Sequence, residues 1–391
     1  MPAFPPETVT TLPEDGAAGA LVGRVWRPDL GGPSVVAVRP DGVHDVTATF
    51  PTVRDLCEAD DPAGQLRKAT GEHLGELDAL LANTPVEARD PGRPWLLAPV
   101  DLQVIKAAGV TFAISMLERV IEERAGGDAS HAAAVRAGIG TMLGVDLSEL
   151  RPGSPEAATL KDMLIEQGLW SQYLEVGIGP DAEIFTKAPV LSAVGTATDA
   201  GVHPDSKWNN PEPEVVLAIA STGRIVGATL GNDVNLRDIE GRSALLLPKA
   251  KDNNASAAVG SFLRLFEPGF DLDTIRTATV TLTVDGVDGH HLDGSSSMAE
   301  ISRDPADLVA QLVSPTHHYP DGAILYLGTM FAPIEDRDTP GQGFTHHTDD
   351  IVTIATPSLG ALVNRIRPSD TCEPWSFGIA DLFRNLAGRG L

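Results

Sequence analysis

The stretch EPEVVLAIASTGRIVGATLGND, residues 212–233, constrains the fold more than any other. Two apolar runs flank STGR, so the segment reads as an antiparallel hairpin closing around Thr222 and Gly223. A turn centred there sets Glu212 directly across from Asp233. Side chains repeat every two residues along a strand, so Glu212, Glu214 and an opposed Asp233 project from one face at one end of the hairpin. Three carboxylates held that close repel unless a cation neutralises them, and the pattern therefore points to a hard divalent metal bound by oxygen. Read blandly, the same residues are solvated strand-end polarity and a turn aspartate.

The rest of the chain is consistent with a soluble globular protein large enough for a real core: 391 residues, 42% hydrophobic. A formal charge of -25 and no evident basic patch argue against nucleic acid as a partner. No apolar run is long enough to span a membrane, and the start, MPAFPPETVTTLPEDG, has neither a basic nor an apolar leader region, so a cytoplasmic location is expected. Cys57 and Cys372 stand far apart with no CxxC, which suggests neither a disulfide framework nor a zinc–thiolate site.

Short strand-like runs separated by Gly, Pro and Asp predict a small β-rich N-terminal domain over residues 1–97, with ARDPGRPWLLAPV as linker. Residues 98–391 follow as the main domain. A helical segment over about 115–174 begins with SMLERVIEERAGG, which puts Met116, Leu117, Val120 and Ile121 on one face, and continues through SHAAAVRAGIGTML. Ser154-Pro155-Glu156 is a helix start. Beyond residue 180 strands dominate; TATVTLTVDG alternates Thr with Ala, Val and Leu as a sheet with one wet face does. Three adjacent pairs, His290-His291, His317-His318 and His346-His347, lack HxH or HExxH spacing and read as poor metal ligands.

Taken in order, Glu212-Pro213-Glu214, then NDVNLRD (232–238), then AKDNNASAAVGSF with Lys251 and Gly260, then LGTMFAP and TDDIVTIATPSLGALVNR, resemble the fumarylacetoacetate hydrolase superfamily over roughly residues 98–370. The resemblance implies an α+β fold, a mixed β-roll with covering helices preceded by the small β-rich domain. It also implies magnesium or manganese on Glu212, Glu214 and Asp233, chelating a small-molecule α-keto acid so that an enolate is stabilised at the neighbouring carbon. Hydrolytic members carry a histidine and, three residues later, a glutamate to activate water. Here GVTFAISMLE has Ser115 at the histidine's place and Glu118 at the glutamate's.

Without that imidazole, enolisation with acid-assisted loss of a hydroxyl is favoured over carbon–carbon hydrolysis. GVTFAISMLERVIEER, EIFTKAP, WNNPEPEVVL and GSSSMAEISR resemble most the branch that dehydrates 2-keto-3-deoxy-pentonates to 2,5-dioxopentanoate. The expected roles are Lys251 as base, lowered in pKa by burial and a nearby dication, with Glu118 as acid and Ser115 as hydrogen-bond donor to the leaving group. Lys187, Arg237, Thr329 and Ser296 are expected at the substrate, Ser296 in a polar loop. Alternatives are a hydrolase of a diketo acid and a non-catalytic keto-acid-binding protein; for Glu118, the alternative is a solvated helix face shared with Glu122 and Glu123. A homodimer or homotetramer is expected by analogy.

Overall fold

The computed structural model describes residues 4–6, 9–132, 134–135, 150–168 and 170–391; the helical reading over 136–149 lies outside them. In chain order the strands are β1 (Leu21–Arg27), β2 (Gly32–Arg39), β3 (Gly42–Asp45), β4 (Glu72–Gly75), β5 (Trp95–Leu97), β6 (Val104–Gly109), β7 (Glu183–Ala188), β8 (Thr198–Val202), β9 (Asn209–Asn210) and β10 (Pro213–Ile219). There follow β11 (Ile225–Asp233), β12 (Asn235–Leu236), β13 (Ala257–Val259), β14 (Leu263–Leu265), β15 (Thr279–Asp285), β16 (His291–Ser297), β17 (Ala323–Tyr326), β18 (Ile351–Thr356) and β19 (Gly360–Pro368).

The large sheet runs β4-β3-β2-β1-β14-β11-β10-β17-β6-β7, with β13 also on β11 and β5 also on β1. A second sheet runs β16-β15-β18-β19-β8. Strand β10 lies between two cores. Val215, Leu217 and Ile219 pack with Val280, Leu282, Val284, Ile354 and Leu362 of the second sheet, while Val216 and Ala218 pack with Ile105, Ile324 and Tyr326. Each fully buried side chain of this kind contributes roughly 1.5–3 kcal/mol. A strand buried on both faces explains why EVVLAI is continuously apolar rather than alternating. Strand β15 is the contrasting case, with Val280, Leu282 and Val284 inward and Thr279 and Thr281 exposed, as the alternation predicts.

The β10–β11 register follows the hairpin symmetry, pairing Pro213 with Asn232, Glu214 with Gly231 and Val215 with Leu230. The turn itself differs from the reading. A register shift near Ile219 pairs it with Ile225, and residues 220–224 form the loop, closed by Ala220 N–H to Arg224 O and by Gly223 at φ +84°. A two-residue hairpin turn would ask Thr222 for a left-handed conformation that a β-branched residue resists.

The N-terminal segment does not close on itself. β1 pairs antiparallel with β14 through Leu21–Arg264 and Val22–Leu263, and Val22, Val35 and Ala37 share a core with Val216 and Ile324. The stretch read as a linker contains β5, paired with β1 and anchored by buried Leu96.

Over the sheets lie helices Ala113–Arg124, Pro155–Glu166 and Gln172–Ile178, the second capped by Ser154 Oγ on Ala157 N–H. Met116, Val120 and Ile121 pack against Leu160, Leu164, Leu174 and Ile178. No helix among the described residues is long and apolar enough to cross a membrane.

Candidate metal and active site

Glu212 and Glu214 stand at the mouth of β10 and Asp233 at the end of β11, all on the face that carries Val216 further along the strand. Asp233 N–H donates to Glu212 O at 3.1 Å, locking the two strand ends together. One oxygen from each carboxylate lies within 4.8 Å of the others, and all three side chains are 1–2% exposed. Gly231, opposite Glu214, makes the convergence possible, since a Cβ there would collide with the Tyr326 ring and Val216. Tyr326 OH donates to Ala258 O at 2.6 Å and so stays beneath the cluster.

Four cations surround the carboxylates. Lys251 Nζ, from the last turn of helix Leu247–Lys251, is 2.5 Å from Glu212 Oε2 and 3.1 Å from Asp233 Oδ2. Lys187 Nζ is 2.7 Å from Asp233 Oδ1 and donates to Lys251 O at 2.5 Å and Val234 O at 3.1 Å. Arg119, from helix Ala113–Arg124, pairs with Glu212, and its Nη1 is 2.7 Å from Glu122 and 2.8 Å from Glu240. Arg237 Nε is 3.1 Å from Glu122 Oε1, and its Nη1 donates to Pro333 O. Four acids, Glu122, Glu212, Asp233 and Glu240, thus pair with four bases.

Glu214 is left over. Its oxygens accept from Gly328 N–H at 2.7 Å and approach Thr329 Oγ1 at 3.4 Å, and no ion pair reaches it among the described residues. Gly328 sits at φ +105°, where a Cβ would collide with Thr111, so the N–H contact depends on glycine. Burial, with the charges of Asp233 and Glu212, pushes the Glu214 carboxyl well above the usual range. At Glu212 burial is outweighed by Lys251 and Arg119, which hold it at about 2. Three oxygen donors on rigid strand ends, one without a compensating charge, fit a hard divalent cation.

The Lys251 pKa departs from the sequence reading: burial works to lower it, but Asp233 and Glu212 outweigh burial and raise it, so the group is an ammonium here. Lys187, fully buried, is spent on Asp233 and two carbonyls, and Arg237 on Glu122 and Pro333, which makes both supports of the cluster in this arrangement. Thr329 reaches Glu214. Ser115 Oγ donates to Phe112 O at 2.9 Å, within the first turn of its helix. Glu118 is buried on the same helix, and Glu122 is only 2% exposed, so the solvated-face alternative fails for both.

Ser296 belongs to β16, not to a loop, opposite Val280 on the second sheet, and no contact among the described residues joins it to the carboxylates. Its neighbour Ser297 caps the following turn through Ala299 N–H. None of the three histidine pairs enters the cluster.

Arg119, Glu122, Glu240 and Glu183 were not singled out by the sequence for this site. Ser115, Arg119 and Glu122 lie at i, i+4 and i+7, a helical stripe that mixes signs and is the one available signal. Glu183 of β7 lies over Gly109, where a side chain would collide with its carboxylate. Burial and Glu240 push it up to about 7.

A second group of potential ligands, Asp288, Asp338 and His347, is of another kind. Asp288 and Asp338 are exposed, and Arg337 and His347 already pair with them.

Residues 211–367 match the family described as Fumarylacetoacetate (FAA) hydrolase C-terminal. A 2-dehydro-3-deoxy-D-arabinonate dehydratase of Saccharolobus solfataricus is 28% identical over 185 residues, 47% of this chain and 58% of that protein. A probable 2-keto-3-deoxyxylonate dehydratase of Haloferax volcanii is 30% identical over 204 residues, 51% and 65% of the two chains. The matches thus span about three fifths of these curated relatives. Among solved structures, 2-keto-3-deoxy-D-arabinonate dehydratase complexed with magnesium and 2,5-dioxopentanoate superposes with a TM-score of 0.61 at 18% identity, covering 89% of this chain and 99% of that one. At that identity the likeness is one of fold.

Proposed function

Because residues 211–367 carry a fumarylacetoacetate hydrolase family core, we propose that the chain is a metal-dependent hydro-lyase converting a 2-keto-3-deoxy-pentonate to 2,5-dioxopentanoate. The observation that carries this reading is the buried trio Glu212, Glu214 and Asp233 with its uncompensated carboxylate. The two similar dehydratases of Saccharolobus solfataricus and Haloferax volcanii, and the similar structure complexed with magnesium and 2,5-dioxopentanoate, support the same substrate class.

A divalent cation on the trio would supply Lewis-acid stabilisation of the charge that develops on a chelating 2-oxo acid. The chain's own residues do the rest. Lys251 takes the C3 proton; once the charge of Glu212 and Asp233 is neutralised, burial dominates at its Nζ and favours the free amine. Glu118 gives a proton to the C4 hydroxyl, which leaves as water, and Ser115 holds the departing oxygen. A proton shift from C5 to C3 then gives the C4–C5 enol, whose hydroxyl proton passes to C4 to set the terminal aldehyde, so one water is the sole by-product. Lys187 keeps Asp233 aimed, Arg237 holds Glu122 and the chain at Pro333 in place, and Thr329 contacts the substrate carboxylate. A positioned acid or base of this kind contributes ~10²- to 10⁴-fold.

The test is to incubate purified protein with both C4 epimers of the five-carbon keto-deoxy acid, with and without chelator. A single five-carbon aldehyde acid, formed only with metal, is the expected product. Two fragments from this substrate would identify aldol-type cleavage instead, cleavage of a 2,4-diketo acid offered in parallel would identify a hydrolase, and no turnover with saturable binding would identify a binding protein.

A further inference from the structure

Arg119 touches three carboxylates that belong to three different elements. Glu122 is one turn along its own helix, Glu240 closes the short helix Arg237–Glu240, and Glu212 is the first carboxylate of the candidate metal site. Arg119 is only 7% exposed, so these pairs act in a weakly screened interior. Ser115 lies four residues before Arg119, one turn along the same stripe, so a bond from Arg119 to Glu212 fixes where Ser115 sits along the site.

We propose that Arg119 is a positioning residue with two opposed effects: it docks the helix Ala113–Arg124 onto Glu212, and it lowers the affinity of the carboxylate trio for a dication. The second effect follows from charge. Arg119 places a positive group on Glu212, and a doubly charged ion at the trio must share that carboxylate with it and with Lys251. Removing Arg119 leaves Glu122, Glu212 and Glu240 with less compensation and makes the site more negative. The first effect follows from geometry, because Glu212 is the anchor that β10, packed on both faces, holds still.

The inference rests on the metal-site reading above, and the experiment separates the two. Mg²⁺ binding to the full-length protein is measured by calorimetry without substrate, for the native protein, Arg119→Met, Arg119→Lys and the charge-balanced double variant Arg119→Met with Glu240→Gln. Arg119→Met is expected to bind Mg²⁺ at least about tenfold tighter, since even one pKa unit of field at such a site equals a factor of ten. Its turnover is expected to fall, with kcat lost rather than KM raised. Arg119→Lys keeps the charge but cannot bridge three carboxylates, so it should bind Mg²⁺ like the native protein while still losing turnover.

Affinity in Arg119→Met that is unchanged or weaker, in a variant with native melting behaviour, overturns the proposal. If Arg119→Met does not fold, the other two variants decide it: Mg²⁺ affinity no tighter than native in the double variant, where Glu212 still loses its guanidinium, or native turnover in Arg119→Lys, overturns it equally. Absence of Mg²⁺ binding by the native protein would instead remove the metal-site reading itself.

Discussion

Glu214 and Asp350 are both fully buried carboxylates at the end of a strand or just before one, yet the molecule treats them oppositely. Asp350 meets Arg337 in a fork, at 2.6 and 2.8 Å, and also accepts from His347 N–H at 2.9 Å with His346 Nδ1 at 3.3 Å. Burial works to raise its pKa, but Arg337 and His346 outweigh burial and hold the group well below the usual range. Glu214 has one backbone donor, a distant hydroxyl and two like charges, and goes the other way. A charge whose partners are built in serves the fold; a charge left without one is a place prepared for something that arrives later.

The sharpest way to break this comparison is to neutralise each acid and follow unfolding in urea without metal. Asp350→Asn takes from the buried Arg337 its closest partner, leaving it Asp288 at the rim and Thr345 O, and is expected to cost about 3 kcal/mol. Glu214→Gln removes an unpaired charge and is expected to stabilise the metal-free chain. Equal destabilisation by both would mean that Glu214 is as well served as Asp350.

A smaller effect comes from metal itself. Mg²⁺ at about 100 times its Kd should stabilise the native protein by ~2.7 kcal/mol, and chelator should reverse this, while Glu214→Gln should show no such response. Thermal melts with and without chelator report it.

The smallest effect concerns Glu183. Its folded pKa is raised to about 7, so between the ordinary carboxylate value and that pH the folded chain binds the extra proton, and stability falls as pH rises through this window. Glu183→Gln should be more stable than the native chain above pH ~7 and indistinguishable near pH ~4.5, by about 2 kcal/mol after allowing for partial exposure. Melting both at several pH values in chelator checks the sign; equal melting above neutrality refutes it.

Much of the hairpin was legible because strand pairing obeys a local rule. The two-residue side-chain repeat and the symmetry about Thr222 and Gly223 suffice to bring Glu212 near Asp233, even though the turn proved longer. The cations around the trio were legible only in part. Lys251 stands out through the family's ordered motifs, whereas Arg119 and Glu122 in LERVIEER look like any solvated helix face until the tertiary fold buries them. A charge carries no mark in sequence of whether water or another charge will meet it. The N-terminal strands show a related gap: turn signals predict β1 to β5, but only long-range pairing with β14 reveals that they extend the large sheet.

The double packing of β10 also decides how traffic reaches the pocket. Glu212, Glu214, Asp233, Lys251 and Thr329 all lie nearly out of reach of solvent, so nothing the size of a sugar acid enters without a door. A strand wedged between two cores is the door frame and cannot swing. Opening for the proposed substrate would therefore fall to elements not held in this way, such as the helix that bears Ser115 and Glu118, and amide hydrogens are expected to exchange faster there than in β10.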